Sequence, residues 1–213
     1  MISDLLWWSG WRRCWSGRHI AVSLHEKPAK AKNEGESLEL SLAQGAAAAY
    51  VQNMTWAEIC EDKLLATLPY RIESDRWGNI VMSPPPRSRH GEYQAEIAVL
   101  LHDKITGGRS LTECPIQTEE GVKAADVAWV SQQRRASRPN DPVYLIAPEI
   151  CVEVGSPSNK EGELEERKRL FFGKGASEFW LCGLHGEMTF FDPGGQIDRS
   201  QLCPDFPKQV VVD

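Results

Sequence analysis

The spacing of apolar and polar residues from about residue 54 onward predicts a domain that mixes helices and strands. Apolar residues recur at helical intervals in Trp56–Leu68 and again in His90–Ile105. Thr55 and Glu58 have the spacing of a capping box, which marks the start of the first of these helices. A third, strongly charged helix is predicted over Gly162–Phe172, where glycines follow the last apolar residues.

Short β-prone runs lie between these helices. Two alternating runs flank a turn that ends at Gly78, and they predict a β-hairpin. The runs of the hairpin and the later predicted strands are Tyr70–Ser74, Asn79–Ser83, Leu111–Thr118, Ala125–Ser131, Tyr144–Val154, Phe179–Leu181 and Glu187–Phe191. The polar segment 132–142 contains prolines and is expected to be a loop. This order of elements predicts an α/β (α+β) layer fold with a largely antiparallel, mixed sheet.

The first 53 residues lack such periodicity. We predict that they form an extension, disordered or loosely packed, and that the folded domain covers residues 54–213. The apolar run Leu5–Trp8 is too short to cross a bilayer, so no membrane association is expected. The tryptophans around it leave a surface-lying anchor open as an alternative.

Composition places the chain among ordinary globular proteins and limits its partners. The 213 residues are 41% hydrophobic and 25% charged, which is typical of one folded domain. The net charge of −6 gives no overall attraction to nucleic acid, so binding of a polyanion must rest on local patches. The six cysteines are dispersed and form no CxxC pair, which argues against a zinc site and favours a reducing, cytoplasmic environment.

Two acidic residues stand inside apolar, β-prone runs: Asp126 in ADVAWV and Glu153 in EICVEV. A charge in such a run is costly unless it is paired or bound to a cation. If the two strands bring these carboxylates within a few ångströms of each other, open to solvent, they would form an oxygen-rich site suited to Mg²⁺. The alternatives are a strand-edge Asp126 that bonds to backbone, and a buried salt bridge between Glu153 and Arg167.

Four segments, taken together, carry a resemblance to a known family. They are MSPPPRSRHGEYQ (82–94), ECPIQTEEGVKAADVAWVS (113–131), PEICVEVGSPSN (148–159) and GASEFWLC (175–182). In this order they resemble the Uma-type restriction endonuclease family of the PD-(D/E)XK nuclease superfamily, from about Thr55 to about Pro207. The resemblance implies a restriction-endonuclease-like core, which is a mixed sheet flanked by helices.

The resemblance also implies a metal site. It places the family's two acidic ligands at Asp126 and Glu153, with Mg²⁺ or Mn²⁺ as the cofactor. Glu113 is a further possible carboxylate ligand at the head of its strand. Gln94 matches the family's helix glutamine, which could contact a metal-bound water or the phosphate.

The basic residue of the site departs from the superfamily pattern. Gly155 stands where the superfamily has a lysine, and the resemblance implies that a basic residue of the following helix replaces it. That position falls on Arg167, or on Lys168 if the register shifts by one residue. An arginine can stabilise charge but cannot act as a base, because it does not deprotonate. Glu163 lies four residues before Arg167, where it could hold the guanidinium by an ion pair.

Several basic residues are candidates for contacts with nucleic acid: Arg87, Arg89, His90, Arg134 and Arg135. They would form one phosphate-contacting patch, or the last two would belong to a plain solvated loop. The function predicted from the resemblance is that of a metal-dependent endonuclease acting on DNA, with a homodimer as one possible assembly. The alternatives are a degenerate member that binds nucleic acid or a protein partner without cutting, and an RNA-directed or structure-selective nuclease.

Overall fold

The computed structural model describes residues 54–137, 142–157, 159 and 162–212, together with the backbone of Ile20–Ala21. The predictions made for the first 53 residues therefore lie outside the described residues, except at Ile20–Ala21. Those two residues form a short strand, β1, that pairs with a strand of the predicted hairpin. The boundary of the domain stays a prediction.

The described residues form strands and helices in the predicted order. After β1, the strands are β2 Arg71–Ser74, β3 Ile80–Ser83, β4 Gly108–Thr118, β5 Gly121–Ser131, β6 Ile150–Val154, β7 Glu178–Cys182, β8 Met188–Asp192 and β9 Gly195–Ile197. The helices are α1 Trp56–Glu61, α2 Ser88–Lys104, α3 Gln132–Ala136 and α4 Glu163–Gly173, with a 3₁₀ turn at Leu65–Thr67. The Thr55–Glu58 capping box at the start of α1 is confirmed.

Six strands form one sheet in the order β4-β5-β6-β7-β8-β9, and three form a smaller sheet in the order β1-β3-β2. In the large sheet, β6 and β7 run parallel and are connected through α4, while the other neighbouring pairs are antiparallel. The predicted mixed sheet flanked by helices, largely antiparallel, is confirmed.

The core lies on both faces of the large sheet. Side chains of successive strand residues point to opposite faces, so Val152 packs with Ile97 and Leu101 of α2, whereas Cys151 packs with Phe171 of α4. Each large side chain buried in this way contributes about 1.5–3 kcal/mol of transfer free energy. The two helices are thereby held on opposite faces, with the central strands β5 and β6 between them.

Two predicted helix and strand boundaries were wrong. The first helix ends at Glu61 rather than continuing to Leu68, because the Asp62 carboxylate accepts a hydrogen bond from the Leu65 amide and starts a separate turn. The strand predicted over Tyr144–Val154 begins at Ile150. Tyr144 pairs with Ile116 of β4 in an isolated bridge instead.

The loop predicted over residues 132–142 was also wrong at its start. The hydroxyl of Ser131 accepts a hydrogen bond from the Arg134 amide and caps the short helix α3. The strand β9 was not predicted, because its three residues are too few to show alternation.

The hairpin β2–β3 packs against the first residues of β5, and one glycine allows this contact. Gly121 has a φ of 89°, and a Cβ atom there would lie 2.4 Å from the carbonyl oxygens of Ser74 and Asp75. The Ser74 hydroxyl accepts a hydrogen bond from the Val122 amide at 2.9 Å. The close approach brings the side chains of β2 to the middle of β5, where the candidate site lies.

Candidate active site

Three carboxylates lie in one row across neighbouring strands. The pairs Thr112–Val127 and Cys114–Ala125 flank Glu113, so Glu113 of β4 faces Asp126 of β5. One residue beyond the pair Val127–Val152, the same register sets Asp126 beside Glu153 of β6. The Val154 amide donates to Asp126 Oδ2 at 2.8 Å. The register thus places the two family ligands, Asp126 and Glu153, and the additional candidate Glu113 at neighbouring positions of three adjacent strands.

Glu113 has an unusual backbone conformation at this point of the sheet. Its φ is 50°, which is in the left-handed region that non-glycine residues rarely adopt. Strain of this kind costs about 1–3 kcal/mol and is concentrated at functional sites in proteins.

The Glu113 side chain marks the solvent edge of the row. It is 45% exposed, and its Oε1 accepts a hydrogen bond from Gln94 Nε2 at 2.6 Å. The same Gln94 nitrogen donates to the backbone carbonyl of Asp126 at 3.1 Å. Gln94, from the buried face of α2, therefore fixes two members of the row rather than facing outward.

Asp126 is buried beside an arginine, a histidine and a backbone amide. Its Oδ1 accepts a hydrogen bond from Arg71 Nη1 at 2.8 Å, and its Oδ2 lies 3.4 Å from His90 Nε2. Burial alone would raise the pKa of this carboxyl, but His90, Arg71 and the Val154 amide together lower the pKa below its usual value. Asp126 is therefore ionised at neutral pH.

Glu153 has a contrasting environment. Its Oε1 is buried and accepts no hydrogen bond from any described residue, and the nearest cation, Arg167 Nη1, lies 3.5 Å away. Burial raises the pKa of Glu153 well above its usual value; the charge of Arg167 opposes this rise and the charge of Asp126 adds to it. The protein itself leaves this carboxylate poorly satisfied.

Arg167 extends from α4 and is firmly held. Its Nη2 donates to both carboxylate oxygens of Glu73 at 2.9 and 3.0 Å, and its Nη1 donates to the Ala124 carbonyl at 3.2 Å. The Glu163 carboxylate lies 4.0 Å from its Nε, so the predicted ion pair one helical turn away is confirmed. The alternative of a buried Glu153–Arg167 salt bridge also describes a contact that is present.

The structure does not bring Lys168 to this cluster. Successive helix residues differ by about 100° in direction. The Lys168 ammonium therefore lies 2.6 Å from Glu165 and 4.2 Å above the ring of Phe191, away from the acids. Of the two registers considered for the basic residue, the one with Arg167 at the carboxylates is the arrangement in the structure.

Sequence reasoning missed two members of the cluster, Arg71 and Glu73 of β2. They stand two residues apart on a strand, a spacing that normally indicates the solvent face of a hairpin. Docking of the hairpin buries Glu73 and places Arg71 beside Asp126 and Glu113. The sequence feature that could have indicated them is a pair of opposite charges, two residues apart, in a predicted strand that is followed by a turn.

The predicted nucleic-acid residues do not form one patch. Arg87 and Arg89 are exposed at the first turn of α2, next to His90 of the cluster. Arg134 and Arg135 lie near the other end of this 17-residue helix, about 25 Å away. The start of their own helix is held there, since the Gln132 amide donates a hydrogen bond to the carbonyl of Gly107, which follows α2. That prediction was wrong in its geometry, since the sheet register separates the two groups.

Arg134 is also engaged within the protein. Its guanidinium donates to the Gly175 carbonyl at 3.0 Å and lies 3.3 Å from the Glu149 carboxylate. These contacts tie α3 to the loop before β6 and to the end of α4. The Arg134 guanidinium has an internal structural role and is not a free phosphate contact.

The expectation that Asp126 and Glu153 would be open to solvent was wrong as well. They are 1% and 4% exposed. Arg71, Arg167 and His90 contact the two acids, because the docked hairpin and both helices direct these side chains at the row. The neighbouring Glu113 side chain is 45% exposed, so the row itself reaches solvent there.

The donor set fits a hard divalent cation. Within the described ranges, no three His, Cys, Asp or Glu side chains converge tightly enough to hold a metal alone. Mg²⁺ needs fewer, because it keeps several waters and is commonly bound by one or two carboxylates. The unsatisfied Glu153 oxygen beside the ionised Asp126 supplies that number of ligands.

The comparisons with known proteins agree with a fold of the restriction-endonuclease type. The chain belongs to the family described as "Putative restriction endonuclease", whose model matches residues 64–204. That range begins and ends inside the predicted 55–207, and it contains the carboxylate row and Arg167.

A solved structure also resembles the chain. It is a "putative nuclease belonging to DUF820" from Anabaena variabilis, with a TM-score of 0.52 and 18% sequence identity, covering 66% of this chain and 80% of that one. At this identity the likeness shows the fold. No curated protein matches the chain. Among the described helices, none has the length and apolar character to cross a membrane.

Proposed function

We propose that this protein is a divalent-metal-dependent endonuclease that hydrolyses phosphodiester bonds in DNA. The observation that carries the proposal is the buried Glu153 oxygen, which accepts no hydrogen bond from the described residues and lies beside an ionised Asp126. A native protein rarely leaves a buried carboxylate in this state unless another group completes it. In a restriction-endonuclease fold, a cation is the group that fits.

Asp126 and Glu153 would hold Mg²⁺ or Mn²⁺. Glu113, at the solvent edge, would join them as a third ligand only after its side chain moves, because the three acids do not converge on one point in the described structure. When bound, such an ion supplies an activated water and neutralises charge on the phosphate. Arg167 stays cationic and is fixed by Glu73, so it can stabilise the negative charge that develops on the phosphate. Gln94 acts as a positioning residue, because its side-chain nitrogen already bonds Glu113 and the Asp126 carbonyl.

Contacts with DNA are proposed for Arg87, Arg89 and His90, which lie at the N-terminal end of α2, where His90 contacts Asp126 of the carboxylate row. Phosphate contacts of this kind weaken as salt increases. We further propose a cytoplasmic location, since the cysteines in the described part of the chain are free thiols. A homodimer would place two such sites on the two strands of a duplex.

A second candidate function is binding of nucleic acid, or of a protein partner, without cleavage. It is favoured by the two arginines, Arg71 and Arg167, which already neutralise much of the carboxylate charge. The net charge of −6 also gives little general attraction to DNA.

The deciding experiment is plasmid nicking by the purified protein with Mg²⁺, Mn²⁺ or EDTA. Asp126→Asn and Glu153→Gln keep the side-chain shape, and the matched controls are the exposed acids Asp198→Asn and Glu165→Gln. The proposal expects metal-dependent nicking that both site variants lose and both controls keep. Equal nicking by wild type and site variants would indicate a contaminating enzyme and contradict it. DNA retention without cleavage would favour the second candidate, and a parallel assay with RNA separates the substrates.

A further inference from the structure

The candidate site contains two arginines that are held in different ways. Arg167 is 12% exposed and is anchored by three hydrogen bonds to Glu73 and Ala124. Arg71 is 19% exposed, and its Nε lies 3.0 Å from Glu113 Oε2 without the alignment of a hydrogen bond. Its contact with Glu113 is therefore mainly an attraction between charges.

Arg71 connects the carboxylates that the proposed function assigns to the metal. The guanidinium lies 2.8 Å from Asp126 Oδ1 through one nitrogen and 3.0 Å from Glu113 through another. A divalent ion held with the help of Asp126 and Glu113 would neutralise the two charges that Arg71 now neutralises. The ion and the guanidinium would then compete for these carboxylates.

Release of Arg71 would free Asp126 Oδ1 for the ion, while the other acceptors that Arg71 contacts keep a hydrogen bond. Asp126 Oδ2 keeps the hydrogen bond from the Val154 amide, and Glu113 keeps the one from Gln94. The Ala124 carbonyl, to which Arg71 also donates, keeps the hydrogen bond from Arg167. Release of Arg167 would be different, because Glu73 would lose both of its hydrogen bonds from that guanidinium. Among the described contacts, Glu73 would keep only the hydrogen bond from the Ala124 amide and the Arg71 guanidinium at 3.9 Å.

We propose that Arg71 is an internal counter-cation of the metal site, which the divalent ion must displace from Asp126 and Glu113 in order to bind. This inference rests on the proposed function and adds a mode of regulation to the same site. If Arg71 occupies the carboxylates in nine of ten molecules, the apparent affinity for metal falls about tenfold. The protein would then bind the metal only at a concentration higher than the one that the carboxylates would require without Arg71.

The test measures Mn²⁺ binding by calorimetry on the full chain without nucleic acid. Arg71→Gln is expected to bind Mn²⁺ about tenfold more tightly than wild type, and Arg71→Lys to lie between them because an ammonium cannot connect both carboxylates. The matched control is Arg76→Gln on the same hairpin, whose exposed pair with Glu120 lies outside the site, and it should leave the affinity unchanged.

Thermal unfolding provides a second readout. In EDTA, Arg71→Gln should melt below wild type, because the acids lose a counter-charge, and Mn²⁺ should raise its melting temperature more than that of wild type. If Arg71→Gln does not fold in either condition, Arg71→Lys decides the matter. An unchanged or weaker Mn²⁺ affinity in the folded variants overturns the inference.

The failure of this inference is distinguishable from the failure of the proposed function. If wild-type protein binds Mn²⁺, Asp126→Asn abolishes that binding and the Arg71 variants bind as wild type does, only the role of Arg71 is wrong. If neither wild type nor the Arg71 variants bind Mn²⁺, both the metal site and the inference are overturned.

Discussion

Two buried glutamates on adjacent strands, Glu178 of β7 and Glu153 of β6, have opposite surroundings. Glu178 is 2% exposed, and its Oε2 accepts a hydrogen bond from Trp180 Nε1 at 2.7 Å. Its Oε1 accepts hydrogen bonds from the Gln201 and Leu202 amides at 2.7 and 3.0 Å. Glu153 is 4% exposed, yet its Oε1 accepts none from the described residues.

The difference separates a structural acid from a candidate functional one. Glu178 ties the C-terminal segment to the sheet through fixed, neutral donors, so its hydrogen bonds contribute to the stability of the fold. Glu153 is directed at an arginine and another carboxylate, where a mobile ion can alter its energy. Burial by itself does not distinguish the two residues; the donors around each carboxylate do.

The largest expected effect is the loss of activity when Glu153, the acid without hydrogen bonds to its Oε1, is replaced. Glu153→Gln should lower the rate of plasmid nicking about 1,000-fold, or about 4 kcal/mol of activation free energy, because an amide cannot give up a proton and become the anionic ligand that the metal would need. Its melting temperature should equal or exceed that of wild type. Nicking within tenfold of wild type, in Mg²⁺ and in protein free of wild-type enzyme, would remove Glu153 from the site.

The next largest effect is the loss of stability when Glu178, the fully hydrogen-bonded acid, is replaced. Glu178→Gln should lower the free energy of unfolding by about 2–3 kcal/mol, because an amide group cannot accept from Trp180 and from both backbone amides at once. Urea denaturation measures this loss. Well below its midpoint, the variant should still nick DNA as wild type does; a loss of nicking in the folded variant would contradict its structural assignment.

A third effect sharpens the comparison through pH. The pKa of Glu153 is raised in the folded protein, so above the ordinary value of 4.5 the unfolded chain releases a proton that the folded protein retains. Stability contributed by the protonated group is present below that pH and is lost as pH rises toward the folded pKa. Glu153→Gln should therefore gain stability relative to wild type, by about 1 kcal/mol, between pH 4 and pH 7 in urea melts. A constant difference across this range would show that burial does not perturb Glu153.

The smallest effect concerns Lys168, the neighbour of the arginine that faces Glu153. Lys168→Ala should change nicking less than twofold, because its contacts with Glu165 and the ring of Phe191 lie away from the acids. The loss of these two contacts should lower the free energy of unfolding by about 0.5–1 kcal/mol. Nicking rates and thermal melts check this expectation. A loss as large as that of Glu153→Gln would mean that Lys168 turns toward the acids when DNA binds.

Local chemistry explains which parts of the fold could be predicted. The capping box at Thr55, the hairpin turn at Gly78 and the charged helix α4 are each specified by residues close together in the sequence. The predicted start of the strand over Tyr144–Val154 was wrong, because an apolar run does not reveal where strand pairing begins. Only the bridge from Ile116 to Tyr144 and the register of β5 with β6 decide that.

By itself, the sequence determined the types and order of the longer elements, the family, and the candidates Asp126, Glu153 and Arg167, because each depends on local pattern or on motif. The tertiary structure decided which acid is structural and which is left unsatisfied, and it added Arg71 and Glu73 to the row. The physical reason is that hairpin docking at Gly121 and the register of three strands join residues that lie far apart along the chain. Alternation within a strand specifies a face, but not what the rest of the fold places on that face.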